Sequence, residues 1–379
     1  MGRIRVLEMI DKPFLGGGQR NLLSLAASLD RDQFDVSVCS GENGPLVDEV
    51  KSLGIPHFPV PFSKRINRRI FHSIEHILKD NRFDIVHTHG GVAGLYGRRA
   101  ARRCRVPVLI HTLHGIHYLH YRNPVLRFSY ILLERWFSRF TDSLILVCSA
   151  DQKQARKFRL GSVDRMTVIP NGLDIEEVWK RNLSPESKSE KKEQLGIPPD
   201  RTVLGTVARL HRQKGIPFLI QSMERIASER PDSILVIVGS GPEEEATKEL
   251  ITARGLDDKI IMLGEREDAL EILSLFDVFV LPSLWEGLPY VLLEAALMEK
   301  PVVATAVDGV LEIIEDGTTG ILVPAEDSGK LAEAVLRALA DRIRSQEMAR
   351  QLKCEVIEKY TLTRMVEQMQ DLYSRLSDV

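Results

Sequence analysis

Short apolar runs alternate with amphipathic ones along nearly the whole chain. In the first half, "RIRVLEMI", "FDVSVCS", "FDIVHTH", "VPVLIHTL", "SLILVCS" and "MTVIP" have the look of strands. Between them "QRNLLSLAASL", "FHSIEHILKD" and "GLYGRRAARRC" carry helical spacing. Near-continuous Val/Ile/Leu strands separated by helices predict a parallel sheet covered on both faces. The pattern then breaks: Glu176 to Asp200 is polar, rich in Ser, Lys and Glu, with three prolines. It reads as a linker with a short helix. Beyond it the alternation restarts with "TVLGTVARL", "ILVIVGSG", "KIIMLG", "VFVLPS", "PVVATAV" and "GILVP". The prediction is an α/β protein of two tandem doubly wound, Rossmann-like domains, 1–175 and 201–359, joined by 176–200. Ligands of such sheets sit at the carboxyl ends of the strands, so two of them are expected to face an interdomain cleft.

Composition adds little, and charge adds more. The 379 residues are 44% hydrophobic and 27% charged, with a formal net charge of −2, as in an ordinary soluble globular protein. That near-zero total hides two opposite halves. Up to Ile175 there are 26 basic against 16 acidic residues, and beyond it 25 against 37. Opposite signs imply different partners for the two halves. Four scattered cysteines without a C-x-x-C pair predict reduced thiols in a cytosolic setting, not a disulfide frame or zinc site. No apolar stretch approaches the roughly 18 residues of a membrane span, and the opening residues lead into a strand rather than a signal peptide.

The candidate chemistry begins with two carboxylates in "LWEGLPYVLLEAALMEKP". Glu294 stands among leucines and alanines, and Glu286 precedes it by eight positions beside Gly287 and Leu288. A buried charge is costly unless it is paired or hydrogen-bonded. Pro289 suits the first turn of a helix, which is therefore expected to start near Leu288. Helix N-termini attract anions. A loop carboxylate there could hold sugar hydroxyls, and one inside the helix the vicinal hydroxyls of a ribose. The plainer reading is that Glu294 satisfies nearby backbone groups and Glu286 merely benefits from the helix dipole. In "GTVARLHRQKG", Arg209 ends a strand and Lys214 precedes the next helix. A fork and a point charge at such a junction suit a diphosphate, although a solvated basic turn has the same sequence.

The amino-terminal half offers "DKPFLGGGQRNLL" after its first strand. Gly16, Gly17 and Gly18 are expected to take positive φ and let backbone approach a ligand; a simple glycine turn is the alternative. The dinucleotide fingerprint G-x-G-x-x-G is not met, because Asn21 stands where its last glycine belongs. His111, His114, His117 and His120 recur every third residue, but a strand ending near Gly115 keeps them off one helix face. A metal site there is therefore not expected. His87 and His89 end the preceding strand and either line a cleft or pack.

Taken in order, "VIPNGLD", "VARLHRQKG", "IVGSGPEEE", "LPSLWEGLPYVLLEAALMEKPVVATAV" and "EDGTTGILVP" resemble glycosyltransferase family 4, whose signature is E-x7-E. The resemblance runs from Gly16 to about Pro324. It implies a GT-B fold, with the last helix, about 360–379, crossing back to the first domain. Met365, Met369, Leu372 and Leu376 give that stretch an apolar face. It implies that Glu286, with Gly287 and Leu288, contacts the donor sugar, that Glu294 holds the ribose, and that Arg209 and Lys214 hold the diphosphate. Arg266 would lie near the base, Gly17 and Gly18 near donor phosphate, and His114 at the sugar. Arg20, His89 and His114 would face the acceptor. One departure stands out: Asp308 precedes Gly309 where many members have two glycines.

The resemblance implies a retaining, metal-independent transfer of a hexose-type sugar from a nucleoside diphosphate sugar to an acceptor, with no bound cofactor. A nucleotide-sugar epimerase of the same fold, a nicotinamide-dependent oxidoreductase and a non-enzymatic binder are the rivals. Basic residues lie beside apolar ones in "PFSKRINRRIFHSI" and "HYLHYRNPVLRFSYILLERWF", and Arg98, Arg99, Arg102, Arg103 and Arg105 form another cluster. Such a surface suits anionic lipid rather than nucleic acid, for which no binding module is present; a solvated basic face whose apolar residues are core is the alternative. The expectation is a cytoplasmic enzyme, peripheral on the inner membrane face, extending a lipid-linked glycan for cell-surface polysaccharide or glycolipid.

Overall fold

The structure, a computed structural model, describes residues 2–63 and 67–378, and the chain divides into two units. The first comprises Met1–Gly172 with Leu362–Val379, and the second Leu173–Thr361.

The first unit carries seven parallel strands: β1 (Ile4–Ile10), β2 (Phe34–Ser40), β3 (His57–Pro59), β4 (Ile85–His89), β5 (Val108–Leu113), β6 (Ser143–Leu146) and β7 (Met166–Val168). Their order is β3-β2-β1-β4-β5-β6-β7, so the winding reverses between β1 and β4. Register sets Glu8 of β1 against His87 of β4, and His89 against Thr112 of β5. The helix Leu362–Ser377 belongs to this unit. It buries Met365, Met369, Leu372 and Tyr373 in the same core as Leu22, Leu25 and Phe34. Its apolar spacing is what lets one face enter that core.

The second unit carries β8 (Thr202–Val207), β9 (Ser233–Val238), β10 (Ile260–Gly264), β11 (Val278–Leu281), β12 (Val302–Thr305) and β13 (Ile321–Val323). The order is β10-β9-β8-β11-β12-β13, with the reversal between β8 and β11. These sheets are doubly wound, as the alternating pattern predicts.

The expected linker is not one. Residues 176–200 lie inside the second unit, so the boundaries fall at 172/173 and 361/362 rather than at 175 and 359. Two helices occupy the segment, Ile175–Lys180 and Pro185–Gln194. Asp174 caps the first, its carboxylate accepting the Glu177 N–H at 3.1 Å. Ser184 caps the second. Lys191 fastens the second helix by ion pairs to Asp268 (2.6 Å) and Glu271 (2.8 Å). The helix Pro185–Gln194 buries no residue, so charge holds it down, while Val178 and Ile197 on either side of it are buried.

Candidate active site

In the second unit the candidate residues gather after the two strands where the sheet order reverses. After β8 the chain passes Arg209, which is exposed, and makes a tight turn at Arg212–Lys214. Gly215 follows with φ +62° and opens the helix Ile216–Glu229. A Cβ on Gly215 would lie 2.0 Å from the carbonyl oxygen of Pro282, so only glycine lets this loop pass the one after β11. The two loops are bonded: the Leu284 N–H donates to Gln213 O at 2.7 Å. Gln213 Nε2 donates to Trp285 O at 2.9 Å.

Glu286 is the centre of this arrangement. It is buried, and its Oε1 accepts from Lys214 Nζ (2.5 Å) and Ser283 Oγ (2.6 Å). Gln213 Nε2 reaches Oε2 at 3.3 Å, and the Glu286 N–H donates to Asp308 Oδ2 at 3.1 Å. Asp308, the departure noted in the sequence, holds the Glu286 backbone in place from a positive φ of 34°. Lys214 and Glu286 were assigned different parts of a ligand, and here they form one partly buried ion pair. A charged group so held costs little reorganisation when charge develops beside it.

The helix bearing Glu294 starts two residues later than expected. It spans Tyr290–Leu297, with Pro289 as its N-cap rather than its first residue. Glu294 is buried between Leu293 and Ala295, Gly287 and Leu288 are buried in the preceding loop, and Asp308 reaches that loop from beyond β12. Arg266 follows β10, the edge strand two positions from the reversal, and is exposed in a bidentate pair with Asp268 at 2.8 Å in both bonds. The Leu210 N–H donates to Ser240 O at 2.9 Å and the Gly239 N–H to Gly264 O at 2.7 Å, joining the ends of β8, β9 and β10.

In the first unit, Gly17 and Gly18 form the first turn of the helix Gly17–Ser28 rather than a loop, and none of Gly16, Gly17 and Gly18 has a positive φ. Their use is closeness. A Cβ on Gly18 would lie 3.0 Å from His114 Cδ2. Arg20, one helical turn on from Gly16, is exposed.

His114 is the end of a buried polar chain. His89 Nδ1 lies 2.9 Å from His114 Nε2, and His89 Nε2 lies 2.8 Å from Glu8 Oε2. Tyr373 Oη donates to Glu8 Oε1 at 2.6 Å and lies 2.6 Å from His87 Nδ1. His87 Nε2 reaches Thr112 Oγ1 at 2.7 Å. Burial alone would raise the Glu8 carboxyl, but the charge and hydrogen bonds of His87 and His89 outweigh it and hold it well below the usual carboxylate range. Burial pushes His89 down to about 4 and His114 well below its ordinary value. The network is thus an ionised carboxylate with Tyr373, His87 and His89 gathered around it.

Glu8, His87 and His89 have ligand-type atoms within 4.8 Å of one another. Each of their ring nitrogens is already within hydrogen-bond reach of a protein partner. Of the four histidines spaced by three, His111 lies in β5 against Thr88, and His117 and His120 in a later turn. Sequence reasoning missed Glu8 and Tyr373. Glu8 carried the signal that exposed Glu294, a lone carboxylate in an apolar run.

The basic surface is also redistributed. Arg98 is buried, forked onto Glu134 at 2.5 and 2.8 Å, and so is no surface cation. Phe62, Ile70 and Phe71 pack in or against the core, while Arg68 and Arg69 are exposed; Lys64, Arg65 and Ile66 lie outside the described residues. The helix Pro124–Ser138 is different. Val125, Phe128, Leu132 and Trp136, spaced by three or four, are all exposed, with Arg127 exposed near the helix start and Arg139 exposed as its C-cap. Among the described residues no helix is long and apolar enough to cross a membrane.

Two doubly wound units with polar sites at their reversal points define the class: GT-B glycosyltransferases. Residues 15–177 match the model "Glycosyltransferase Family 4", and 187–354 match "Glycosyl transferases group 1". The chain is 30% identical to the Escherichia coli UDP-Gal:alpha-D-GlcNAc-diphosphoundecaprenol alpha-1,3-galactosyltransferase, covering 98% of this chain and 97% of that one. It is likewise 30% identical to the alpha-D-kanosaminyltransferase of Streptomyces kanamyceticus, over 77% of each. Anabaena HepE, solved with UDP-glucose, superposes with a TM-score of 0.87 at 22% identity, covering 98% and 100% of the two chains. The chain belongs to glycosyltransferase family 4 and is a glycosyltransferase.

Proposed function

We propose that this enzyme moves a hexose-type sugar from a nucleoside diphosphate sugar to a lipid-linked glycan, with retention at the anomeric carbon and without a metal ion. The observation that carries the reading is the gathering of Arg209, Lys214 and Glu286 at the carboxyl ends of β8 and β11. That reversal point is where doubly wound sheets bind nucleotides. Arg209 and Lys214 stabilise the negative charge that builds on the departing diphosphate, and so take the place of a cation. Glu286 and Glu294 hold sugar and ribose, and His114 positions the sugar. The acceptor hydroxyl attacks the anomeric carbon on the face the diphosphate leaves and gives its proton to that departing phosphate, so the configuration is retained.

A diphosphoundecaprenol-linked acceptor is named for the Escherichia coli relative, and the surface of this chain suits such a partner. The exposed stripe Val125, Phe128, Leu132 and Trp136, with its arginines, fits an anionic bilayer by apolar insertion and charge. The enzyme is accordingly peripheral, on the cytoplasmic membrane face, in the making of a cell-surface polysaccharide or glycolipid.

A thermal-shift panel of nucleoside diphosphates and their sugars identifies the donor, since a bound ligand raises the unfolding midpoint. Transfer to a polyprenyl-diphosphate sugar, with the anomer assigned by NMR and EDTA present, then tests the rest. An α-linked product from an α-configured donor is expected. An inverted product, or loss of transfer in EDTA restored by a divalent ion, overturns retention or metal independence respectively. Conversion of the donor to an isomer without acceptor would make the enzyme an epimerase. Sedimentation with vesicles should show salt-sensitive binding to anionic lipid, lost when Phe128 and Trp136 are changed to Ser.

A further inference from the structure

We propose that Tyr373 and Glu8, acting through His89, hold His114 in a single tautomer, with the proton on Nε2 and a lone pair fixed on Nδ1. On the reading of a sugar-binding site, that nitrogen accepts a hydrogen bond from a hydroxyl of the bound hexose. Tyr373, Glu8 and His89 are then positioning residues for His114.

The proton positions follow one from another. Glu8 is ionised and offers only acceptors. Tyr373 Oη donates to its Oε1, so the Tyr373 oxygen is left to accept, and His87 Nδ1 must be the nitrogen that donates to it. His87 Nδ1 is also 3.2 Å from Glu8 Oε2, another acceptor, which leads to the same assignment. His87 Nε2 lies 2.7 Å from Thr112 Oγ1, away from the carboxylate. On the other side, His89 Nε2 must donate to Glu8 Oε2. A neutral His89 has its lone pair on Nδ1, and the bond at 2.9 Å therefore requires a proton on His114 Nε2.

The ring geometry agrees. The imidazoles of His89 and His114 are parallel to within 14° with centroids 5.1 Å apart. With nitrogens 2.9 Å apart, this is an edge-to-edge, in-plane bond, not a face-to-face stack. The opposite tautomer would set two lone pairs against each other, either between the histidines or between His89 and Glu8. With His89 neutral, only one arrangement satisfies every bond.

The chain ends at His114 Nδ1, which is buried and has no hydrogen-bond partner among the described residues. A buried acceptor left over by an otherwise complete network is a ligand-facing group in waiting. The ligand it selects is a neutral donor such as a hydroxyl; an anionic oxygen would be repelled. His114 is therefore an acceptor rather than an acid in the reaction.

The test is a long-range proton–nitrogen NMR spectrum of the full chain carrying 15N-histidine, between pH 6.5 and 8, with His114 identified by its loss in His114→Gln. The expected result is a bonded proton on His114 Nε2 and an unprotonated Nδ1 in the wild-type protein without ligand. A proton on Nδ1, or averaging between tautomers, overturns the proposal and needs no variant. In Glu8→Gln the amide can donate to His89 and reverse the chain, so the single tautomer should be lost. Turnover should fall about 10-fold or more with the affinity for nucleoside diphosphate unchanged. A folded Glu8→Gln protein with the wild-type His114 tautomer removes Glu8 from the relay. The spectrum needs no substrate, so an intact relay in a protein that transfers no sugar would count against the function and not against the relay.

Discussion

Lys214 and Glu286 bind each other, Nζ to Oε1 at 2.5 Å, across the two loops that follow β8 and β11. Neither can be altered without changing the other. Lys214→Ala removes a cation from beside the departing diphosphate and leaves a buried carboxylate to Ser283 and Gln213. Turnover should fall about 10²-fold, on the scale of losing one preorganised donor. Combined with Glu286→Gln, the loss should be well short of the product of the two separate losses, because paired residues are not additive. Steady-state kinetics of the two single variants and the double variant decide it; full additivity would mean that the pair has no common role.

Glu294 and Glu286 are expected to separate in binding. Glu294→Gln should weaken bare nucleoside diphosphate, because a ribose contact needs no sugar. Glu286→Gln, whose amide oxygen can still accept from Lys214, should change that affinity less and damage transfer. Calorimetry with the nucleotide alone distinguishes them, and equal losses would contradict the division.

Gly18→Ala should lower transfer without touching nucleotide affinity. The new methyl lies 3.0 Å from His114 Cδ2, and His114 is pinned by His89, so the ring must shift by a few tenths of an ångström. A 1 Å misplacement can cost about 10²-fold, and a smaller shift here should cost roughly 10-fold. Unchanged turnover would show that the ring can yield freely.

Stability should fall on mild acidification. Burial drives His89 down to about 4 from 6.5, with His87 adding to the effect and Glu8 opposing it. His111 and His114 are also lowered well below 6.5, by burial first, with Arg98 acting on His111 and His117 on His114. These groups are neutral when folded and bind protons near 6.5 when unfolded. Their contribution is therefore complete above pH 6.5 and lost as pH falls toward 4. His89 alone is worth on the order of 3 kcal/mol, at about 1.4 kcal/mol per pH unit. Unfolding midpoints measured from pH 7.5 to 4.5 should decline through this window; a flat profile would exclude neutral buried histidines.

Arg98→Ala should destabilise the first unit by about 3–5 kcal/mol, because it leaves Glu134 charged and buried. Replacing both partners, Arg98→Met with Glu134→Leu, should recover most of that loss. Urea unfolding of the three proteins tests it, and a double variant as unstable as Arg98→Ala would refute the account.

The sheets were legible because buried parallel strands are continuous Val/Ile/Leu runs. The extent of the second unit was not, because Pro185–Gln194 is held by Lys191 to acids some 80 residues away and has no apolar face to reveal it. Glu286 and Glu294 stood out as carboxylates in apolar surroundings. Glu8 gives the same signal, but its partner Tyr373 is 365 residues distant. Arg98 was grouped with surface arginines because Glu134, 36 positions on, gives no local sign of pairing. Long-range polar pairing is what a single sequence conceals, and both sites depend on it.

The helix that supplies Tyr373 has a consequence for biosynthesis. It follows all of Leu173–Thr361 in the chain, yet it completes the core that begins at β1. A nascent first unit must therefore wait, its Leu22–Leu25 surface uncovered and Glu8 lacking its phenol, while the ribosome makes the whole second unit. At about 5–20 residues per second that interval is on the order of 10–40 s. A chain truncated before Leu362 keeps the Glu8–His89–His114 contacts but lacks the phenol on Glu8 Oε1 and the apolar face that covers Leu22 and Leu25, so the first unit is finished only by the last residues to be made.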